Sequence, residues 1–215
     1  MRVGAKICGL STLEAVAAAQ RHGACMIGFV FHPGSPRRVT PAGARALGAD
    51  VPPSLARVGV FVDPADDEID AALGAIDMIQ LHGAEPPARV RAVRRRAGRP
   101  VIKAIAVADA SDLAAVEDYE MVADLLLFDA KPPPGPAALP GGNARAFDWR
   151  LLAGVTPRVP WLLSGGLDAG NVADAIRVSG APLVDVSSGV ESARGVKDPA
   201  RIAAFLAACK ELETA

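Results

Sequence analysis

Eight short apolar runs alternate with helical stretches along this chain, and that rhythm restricts the fold more than any other feature. The runs are Val3–Cys8, Met26–Phe31, Arg57–Val62, Met78–His82, Val101–Ile105, Asp124–Asp129, Trp161–Ser164 and Leu183–Ser187. They are bounded by turn residues and mostly apolar on both faces, the pattern of buried parallel strands. Their mean spacing, about 27 residues, is close to one βα unit. Helix starts follow most of them. Ser11-Thr12-Leu13-Glu14 reads as a capping box. Thr40-Pro41, Asp63-Pro64 and Asp198-Pro199 each place a cap residue before proline at a first helical position. Asp168 precedes a helical stretch through about Val178. Residues 199–212 carry Ile202, Phe205, Leu206 and Cys209 on one stripe, which makes Cys209 a small core hydrophobe. The pattern predicts an α/β fold, a single (β/α)8 TIM barrel over residues 1–215 forming one catalytic domain, with a doubly wound open sheet as the alternative. The chain's 215 residues are few against the roughly 250 typical of barrels, and the short runs and connections make them fit.

Two segments break the rhythm: Phe31–Pro41 and the Pro- and Gly-rich Ala130–Phe147. Long loops inside a compact domain are usually functional, and both follow the C-terminal ends of strands, the catalytic face of a barrel. Charge excludes several classes of partner. With 23 basic and 24 acidic residues the net charge is −1, which gives no electrostatic case for nucleic acid or an anionic membrane. The one dense basic cluster (Arg89, Arg91, Arg94, Arg95, Arg96, Arg99) has no interleaved aromatics and reads as a solvated helix face. No apolar run of about 18 residues is present to span a membrane, and the first ten residues do not read as a signal peptide. Three cysteines, an odd and small number, fit a reducing cytoplasm. The three histidines lack zinc-ligand spacing, and neither a Walker loop nor a Gly-x-Gly-x-x-Gly fingerprint occurs, so neither metal nor nucleotide cofactor is expected. Balanced charge makes a monomer the default, with a homodimer left open.

Polar residues that close apolar strands are the candidates for chemistry in a barrel. Cys8 ends the first run just before a helix start, with Lys6 on the same side of the strand; helix N-terminus and ammonium both favour thiolate. Asp129 closes four apolar residues and reads either as a general acid or as a turn acid paired with Lys131. Gln80 and His82 share one face, as a structural or a catalytic pair. Asp185 and Ser187 share another. Gly165-Gly166 after the seventh run and Ser187-Ser188-Gly189 after the eighth offer backbone N–H groups where barrels frequently hold phosphate. Arg37, in the long loop after the second run, is either a carboxylate-binding fork or a surface charge.

Taken together these residues resemble the phosphoribosylanthranilate isomerases of tryptophan biosynthesis. The likeness is carried by Lys6-Ile7-Cys8-Gly9-Leu10, Gly28-Phe29-Val30-Phe31 with Ser35-Pro36-Arg37, Val58-Gly59-Val60-Phe61-Val62, Gln80-Leu81-His82-Gly83, Ile102-Lys103-Ala104 and Leu127-Phe128-Asp129. It continues through Gly141-Gly142 with Phe147-Asp148-Trp149, Ser164-Gly165-Gly166-Leu167 with Asn171-Val172, and Val184 through Glu191 with Gly195 and Lys197-Asp198. Each stretch is short, but their order and spacing cover residues 3 to about 205. The resemblance implies an Amadori rearrangement without cofactor or metal. In it Asp129 would be the general acid, Cys8 the general base and Arg37 the holder of a carboxylate. Asp185 would lie near the bridging amine, and backbone groups of Gly165, Gly166, Ser187 and Ser188 would hold the phosphate, with His82 among the substrate-binding residues.

One departure stands out. Where the family usually reads Gly-Gly-x-Gly, this chain has Gly141-Gly142-Asn143-Ala144. An alanine forced into a glycine conformation is strained by about 1 kcal/mol, which bears on loop closure. Two other enzyme readings and one non-enzyme reading compete. The related indole-glycerol-phosphate synthase chemistry calls for a lysine acid with glutamate partners, a set not found here. A Schiff-base lysine, as in aldolases, is the other reading for Lys103, although it sits within its strand run and is expected deep in the barrel. A phosphate-binding protein of weak activity is supported only by Ala144.

Overall fold

A computed structural model describes residues 3–132, 141 and 146–211. Eight parallel strands close into a barrel in chain order: β1 Gly4–Cys8, β2 Met26–Val30, β3 Ala56–Phe61, β4 Met78–Leu81, β5 Val101–Val107, β6 Leu125–Ala130, β7 Trp161–Leu163 and β8 Leu183–Val186. Lys6 of β1 pairs with Met26 on one side and Asp185 on the other, which closes the ring. Every expected run is a strand, with ends shifted by one or two residues. The open-sheet alternative is overturned by the β1–β8 pairing.

Helices α1 Leu13–His22, α2 Pro41–Leu47, α3 Asp66–Ala72, α4 Pro87–Ala97, α5 Ala115–Glu120, α6 Val172–Ser179 and α7 Pro199–Glu211 lie between or after the strands. Thr40 caps α2 through its side chain, as expected, and Asp198 accepts from the N–H groups of Ala200 and Arg201 at the start of α7. Two starts differ from expectation. Thr12, not Ser11, caps α1, its hydroxyl accepting from the Ala15 N–H. Asp63 does not cap α3, because it takes a left-handed φ of 45° and its carboxylate accepts from Ala84 in the neighbouring loop. Asp168 precedes α6 as expected, lying in the turn before its cap Asn171. A hairpin of β9 Glu191–Ala193 and β10 Val196–Lys197 follows β8.

The strand faces divide the core. Met26, Val58, Ile102, Ala104, Leu127 and Leu162 form one buried cluster inside the barrel. The opposite faces pack against the helices in a larger cluster that includes Phe29, Ile79, Leu81, Leu126, Val93, Phe205 and Cys209. Burial pushes the Cys209 thiol up to about 12, consistent with an inert core position. The basic face of α4 is spent on neighbours: Arg89 pairs with Asp66, Arg94 with Asp124 and Arg96 with Asp70. Among the described residues no helix is long and apolar enough to cross a membrane.

Candidate active site

The register carries the interior face upward into a polar cleft at the C-terminal ends of the strands. It holds about 810 Å³ of space up to its open rim, within the range of small-molecule sites. Cys8, Arg37, His82, Asp129, Gly165, Gly166, Asp185, Ser187 and Ser188 all line it. All nine residues singled out from sequence therefore meet in one cavity. Cys8 and Asp129 face it from β1 and β6, which β7 and β8 separate.

On the β6 side, Asp129 is 6 % exposed and does not pair with Lys131, which reaches Asp112 instead (2.8 Å). Its Oδ2 lies 3.1 Å from His82 Nε2, and Gln80 Nε2 lies 2.7 Å from His82 Nδ1. The amide donates to Nδ1, so Nε2 carries the hydrogen and donates to the carboxylate. Oδ1 accepts from the Ala130 N–H. The chain after β6 returns against this pair at Gly141, where a methyl group would lie 2.7 Å from His82 Nε2 and 2.9 Å from Asp129 Oδ2. Residues Gly142, Asn143 and Ala144 lie outside the described residues, and with them the expectation about loop strain.

The backbone around His82 is clamped from behind. Lys103 Nζ donates to the carbonyl of Gly83 (2.6 Å) and to Glu85 Oε2 (2.6 Å), while Glu85 accepts from the N–H groups of Gly83 and Asp63. Lys103 pairs in register with Leu81 and Leu126, both on the helix-facing side. It therefore points out of the barrel rather than deep into it, and its ammonium is held in an ion pair. That removes the Schiff-base reading.

On the β1 side, Lys6 is fully buried and its Nζ donates to Asp185 Oδ1 (2.8 Å); the Ser164 hydroxyl donates to Asp185 Oδ2 (3.2 Å). Asp185 is thus the anionic half of an ion pair at the cleft floor. Burial pushes the Cys8 thiol up, while the Lys6 and Lys197 ammoniums pull it down and Asp185 pushes it further up. Burial dominates, so the resting group is a thiol, a correction to the expected thiolate. With Thr12 as the cap, α1 begins at Leu13, further from Cys8 than the sequence suggested, and burial outweighs the two ammoniums.

Backbone N–H groups and a buried guanidinium occupy the rest of the rim. Gly165 and Gly166 have φ of 89° and 65°, and neither donates its N–H to another described residue. The loops after β7 and β8 touch: a methyl group on Gly189 would lie 1.9 Å from the Leu167 carbonyl oxygen. Arg37 is no surface charge. It is 4 % exposed, with Nε and Nη2 donating to Glu191 Oε1 (2.6 Å) and Oε2 (3.0 Å). Glu191 also accepts from Lys197 Nζ (2.7 Å), which in turn donates to the Ser187 carbonyl (2.8 Å). The Arg37 and Lys197 partners hold the Glu191 carboxyl down at about 2, against burial. Glu191 and Lys197 were not among the residues expected at the site. Their only sequence signal was membership of the stretch after the eighth run, since their partner Arg37 lies 154 positions from Glu191. Among the described residues no group of three or more His, Cys, Asp or Glu is placed to hold a metal ion.

Comparison with known proteins agrees with this geometry. The sequence model of the N-(5'-phosphoribosyl)anthranilate isomerase family matches residues 5–208. The N-(5'-phosphoribosyl)anthranilate isomerase of Paracoccus denitrificans is 59% identical over 209 residues, 96% of this chain and 97% of that protein. The crystal structure of the Thermotoga maritima phosphoribosyl anthranilate isomerase superposes with a TM-score of 0.87 at 37% identity, covering 97% of this chain and 99% of that one. A phosphoribosyl anthranilate isomerase solved with reduced 1-(o-carboxyphenylamino)-1-deoxyribulose 5-phosphate gives 0.84 at 35% identity, over the same shares of the two chains. The family model spans nearly the whole barrel and the relatives match over nearly their full length, and this chain belongs to the N-(5'-phosphoribosyl)anthranilate isomerase family.

Proposed function

We propose that this chain converts N-(5-phosphoribosyl)anthranilate to 1-(2-carboxyphenylamino)-1-deoxyribulose 5-phosphate, the third step from chorismate to tryptophan, with Asp129 as general acid and Cys8 as general base. The observation that supports the assignment is their placement on β6 and β1, across a cleft whose rim offers anion-binding groups. Asp129 gives a proton to the ribose ring oxygen. The C1–O bond breaks, and the amine lone pair forms a C=N bond. That iminium acidifies the C2 hydrogen, which the Cys8 sulfur removes. The electrons pass through C1=C2 to nitrogen and leave an enolamine. Tautomerisation yields the ketone, C1 gaining a proton and the C2 hydroxyl losing one, and return of a proton from Cys8 to Asp129 through solvent restores both groups. A thiol held up by burial is a strong base once ionised, and the ammoniums of Lys6 and Lys197 support its thiolate.

The two anionic handles of the substrate match the rim. Backbone groups of Gly165, Gly166, Ser187 and Ser188 take the phosphate. Arg37, fixed by Glu191, takes the anthranilate carboxylate. Asp185 sits between the base and the phosphate loops, next to the position of the bridging amine, and His82 orients the acid. One domain and one copy supply all of these groups, so a monomer suffices, and the biosynthetic step places it in the cytoplasm. Replacing Cys8 by alanine and Asp129 by asparagine tests the roles, following turnover by loss of anthranilate-type fluorescence. Each should lower turnover by about 10²-fold or more. A change within about threefold for both rejects the assignment.

A further inference from the structure

Gln80 carries a feature the mechanism above does not use. It is 1 % exposed, and its side-chain oxygen Oε1 is buried with no hydrogen-bond partner among the described residues. An orphaned buried amide oxygen is unfavourable and calls for an explanation. The explanation lies along the axis that Gln80 opens: its Nε2 is 2.7 Å from His82 Nδ1, and His82 Nε2 is 3.1 Å from Asp129 Oδ2.

Consider what one added proton does to this axis. With Asp129 ionised, the imidazole hydrogen sits on Nε2 and Nδ1 is an acceptor, which the Gln80 amide nitrogen satisfies. When the Asp129–His82 pair gains the proton that the acid must deliver, the proton lies along the Nε2–Oδ2 contact and the second imidazole hydrogen appears on Nδ1. This holds whether the pair is written as imidazolium and carboxylate or as imidazole and carboxylic acid. Nδ1 then becomes a donor and needs an acceptor. A half-turn of the Gln80 amide supplies it, because Oε1 and Nε2 exchange places. Each orientation leaves one amide atom unpaired, so neither is strongly preferred by the cavity. Gln80 is flanked in the sheet by Val60 and Ile102, which offer no competing polar group. The charged groups around His82 are Asp129 in front and the Lys103–Glu85 pair behind, and that pair is engaged with backbone of the same loop.

We propose that Gln80 is a positioning residue for the acid: a two-orientation amide whose buried Oε1 is the acceptor for the His82 Nδ1–H of the proton-loaded Asp129–His82 pair. This rests on the reading of Asp129 as the general acid. The amide contacts His82 rather than Asp129 itself, so it acts on the acid through the imidazole. It sets which imidazole nitrogen bears hydrogen, and so whether Asp129 is held ready to give a proton or to take one.

The test reads the imidazole directly. The ring-nitrogen ¹⁵N shifts of His82 are followed with pH in the free wild-type enzyme and in Gln80→Leu and Gln80→Glu. In wild type, Nδ1 should pass from unprotonated to protonated as the pair takes up its proton. In Gln80→Glu, which can only accept when ionised, Nδ1 should stay protonated over a wider range. Gln80→Leu should lose about tenfold or more in kcat, comparable to the 10–100-fold loss when the partner fixing a metal-bound histidine is removed. KM should stay within about twofold, and the kcat–pH profile should shift, because only the loaded acid is affected. Gln80→Glu, which restores an acceptor, should recover part of the kcat lost in Gln80→Leu on the acid side of the profile. If Gln80→Leu fails to fold, the wild-type and Gln80→Glu spectra still decide. An Nδ1 that stays unprotonated while the pair gains its proton overturns the proposal, as does a folded Gln80→Leu with wild-type kcat and pH profile. Asp129→Asn with unchanged turnover would instead reject the acid assignment, a result separable from the spectra because they need no substrate.

Discussion

Replacing Gly189 by alanine probes the phosphate cradle without touching any group that moves a proton. The added methyl would start 1.9 Å from the Leu167 carbonyl oxygen, 2.9 Å from its carbon and 3.1 Å from the Asp168 Cα. All three are backbone atoms, so no side-chain rotation relieves the clash. A carbon–oxygen contact relaxes only near about 3.3 Å, so the loops after β7 and β8 must part by about 1.4 Å. A backbone N–H donating at about 2.9 Å and displaced that far no longer makes a hydrogen bond. A hydrogen bond to a charged group contributes about 1.5–3 kcal/mol, so losing one predicts about a 10- to 150-fold fall in kcat/KM. The phosphate is bound alike in ground and transition states, so the loss should enter through KM with kcat largely kept. Overpacking adds a stability loss of about 1–3 kcal/mol. Initial rates across substrate concentration, followed by fluorescence, give the split, and urea unfolding gives the stability. A Gly189→Ala enzyme with KM within about twofold of wild type refutes the reasoning that these two loops form one phosphate cradle. A fall confined to kcat refutes it equally, since that would place the loops in proton transfer.

Other consequences follow from the charged groups. Lys6→Met leaves the Asp185 carboxylate buried and unpaired, a loss of about 3–5 kcal/mol measurable by denaturant unfolding. It also removes an ammonium that pulls the Cys8 thiol down, so the limb of kcat/KM that follows ionisation of Cys8 should move to higher pH. The wild-type limb itself should already lie above the ordinary thiol value of about 8.5, because burial holds Cys8 protonated. Glu191, held down at about 2 in the folded chain, contributes stability that is fully present above its ordinary value near 4.5 and is lost as pH falls toward 2. That contribution is on the order of 2–3 kcal/mol, and Glu191→Gln should flatten the acid side of the stability–pH curve while raising KM through a loosened Arg37.

The barrel was legible because its signal is local. A buried parallel strand is a short apolar run whatever it pairs with, so all eight were visible, and the interior parity of Cys8, Asp129 and Asp185 followed from alternation along each strand. What alternation alone did not settle was Lys103. Its neighbours Ile102 and Ala104 are as apolar as itself is polar, and only the register with Leu81 and Leu126 shows which face looks outward. Helix starts at Ser11 and Asp63 were misread for a related reason. Thr12 is as good a cap as Ser11, and the Asp63 carboxylate is claimed by Ala84, 21 residues on. The partner of Arg37 lies beyond any local rule, since it depends on the closed ring bringing distant strand ends together.

The charge distribution at the mouth explains how a chain of net charge −1 can hold a substrate with two anionic ends. Most of the cleft's ionic groups cancel locally: Lys6 against Asp185, and Glu191 between Arg37 and Lys197. The last three sum to one positive charge, buried beside the position assigned to the carboxylate. The phosphate position is lined instead by backbone N–H groups and hydroxyls, which attract an anion through fixed dipoles rather than through formal charge. This division separates the two ends by chemistry. A buried guanidinium suits a planar carboxylate, while a ring of N–H donors suits a tetrahedral group. The two cations that do approach the reacting centre, Lys6 and Lys197, lie on the Cys8 side, where they favour the charged form of the base.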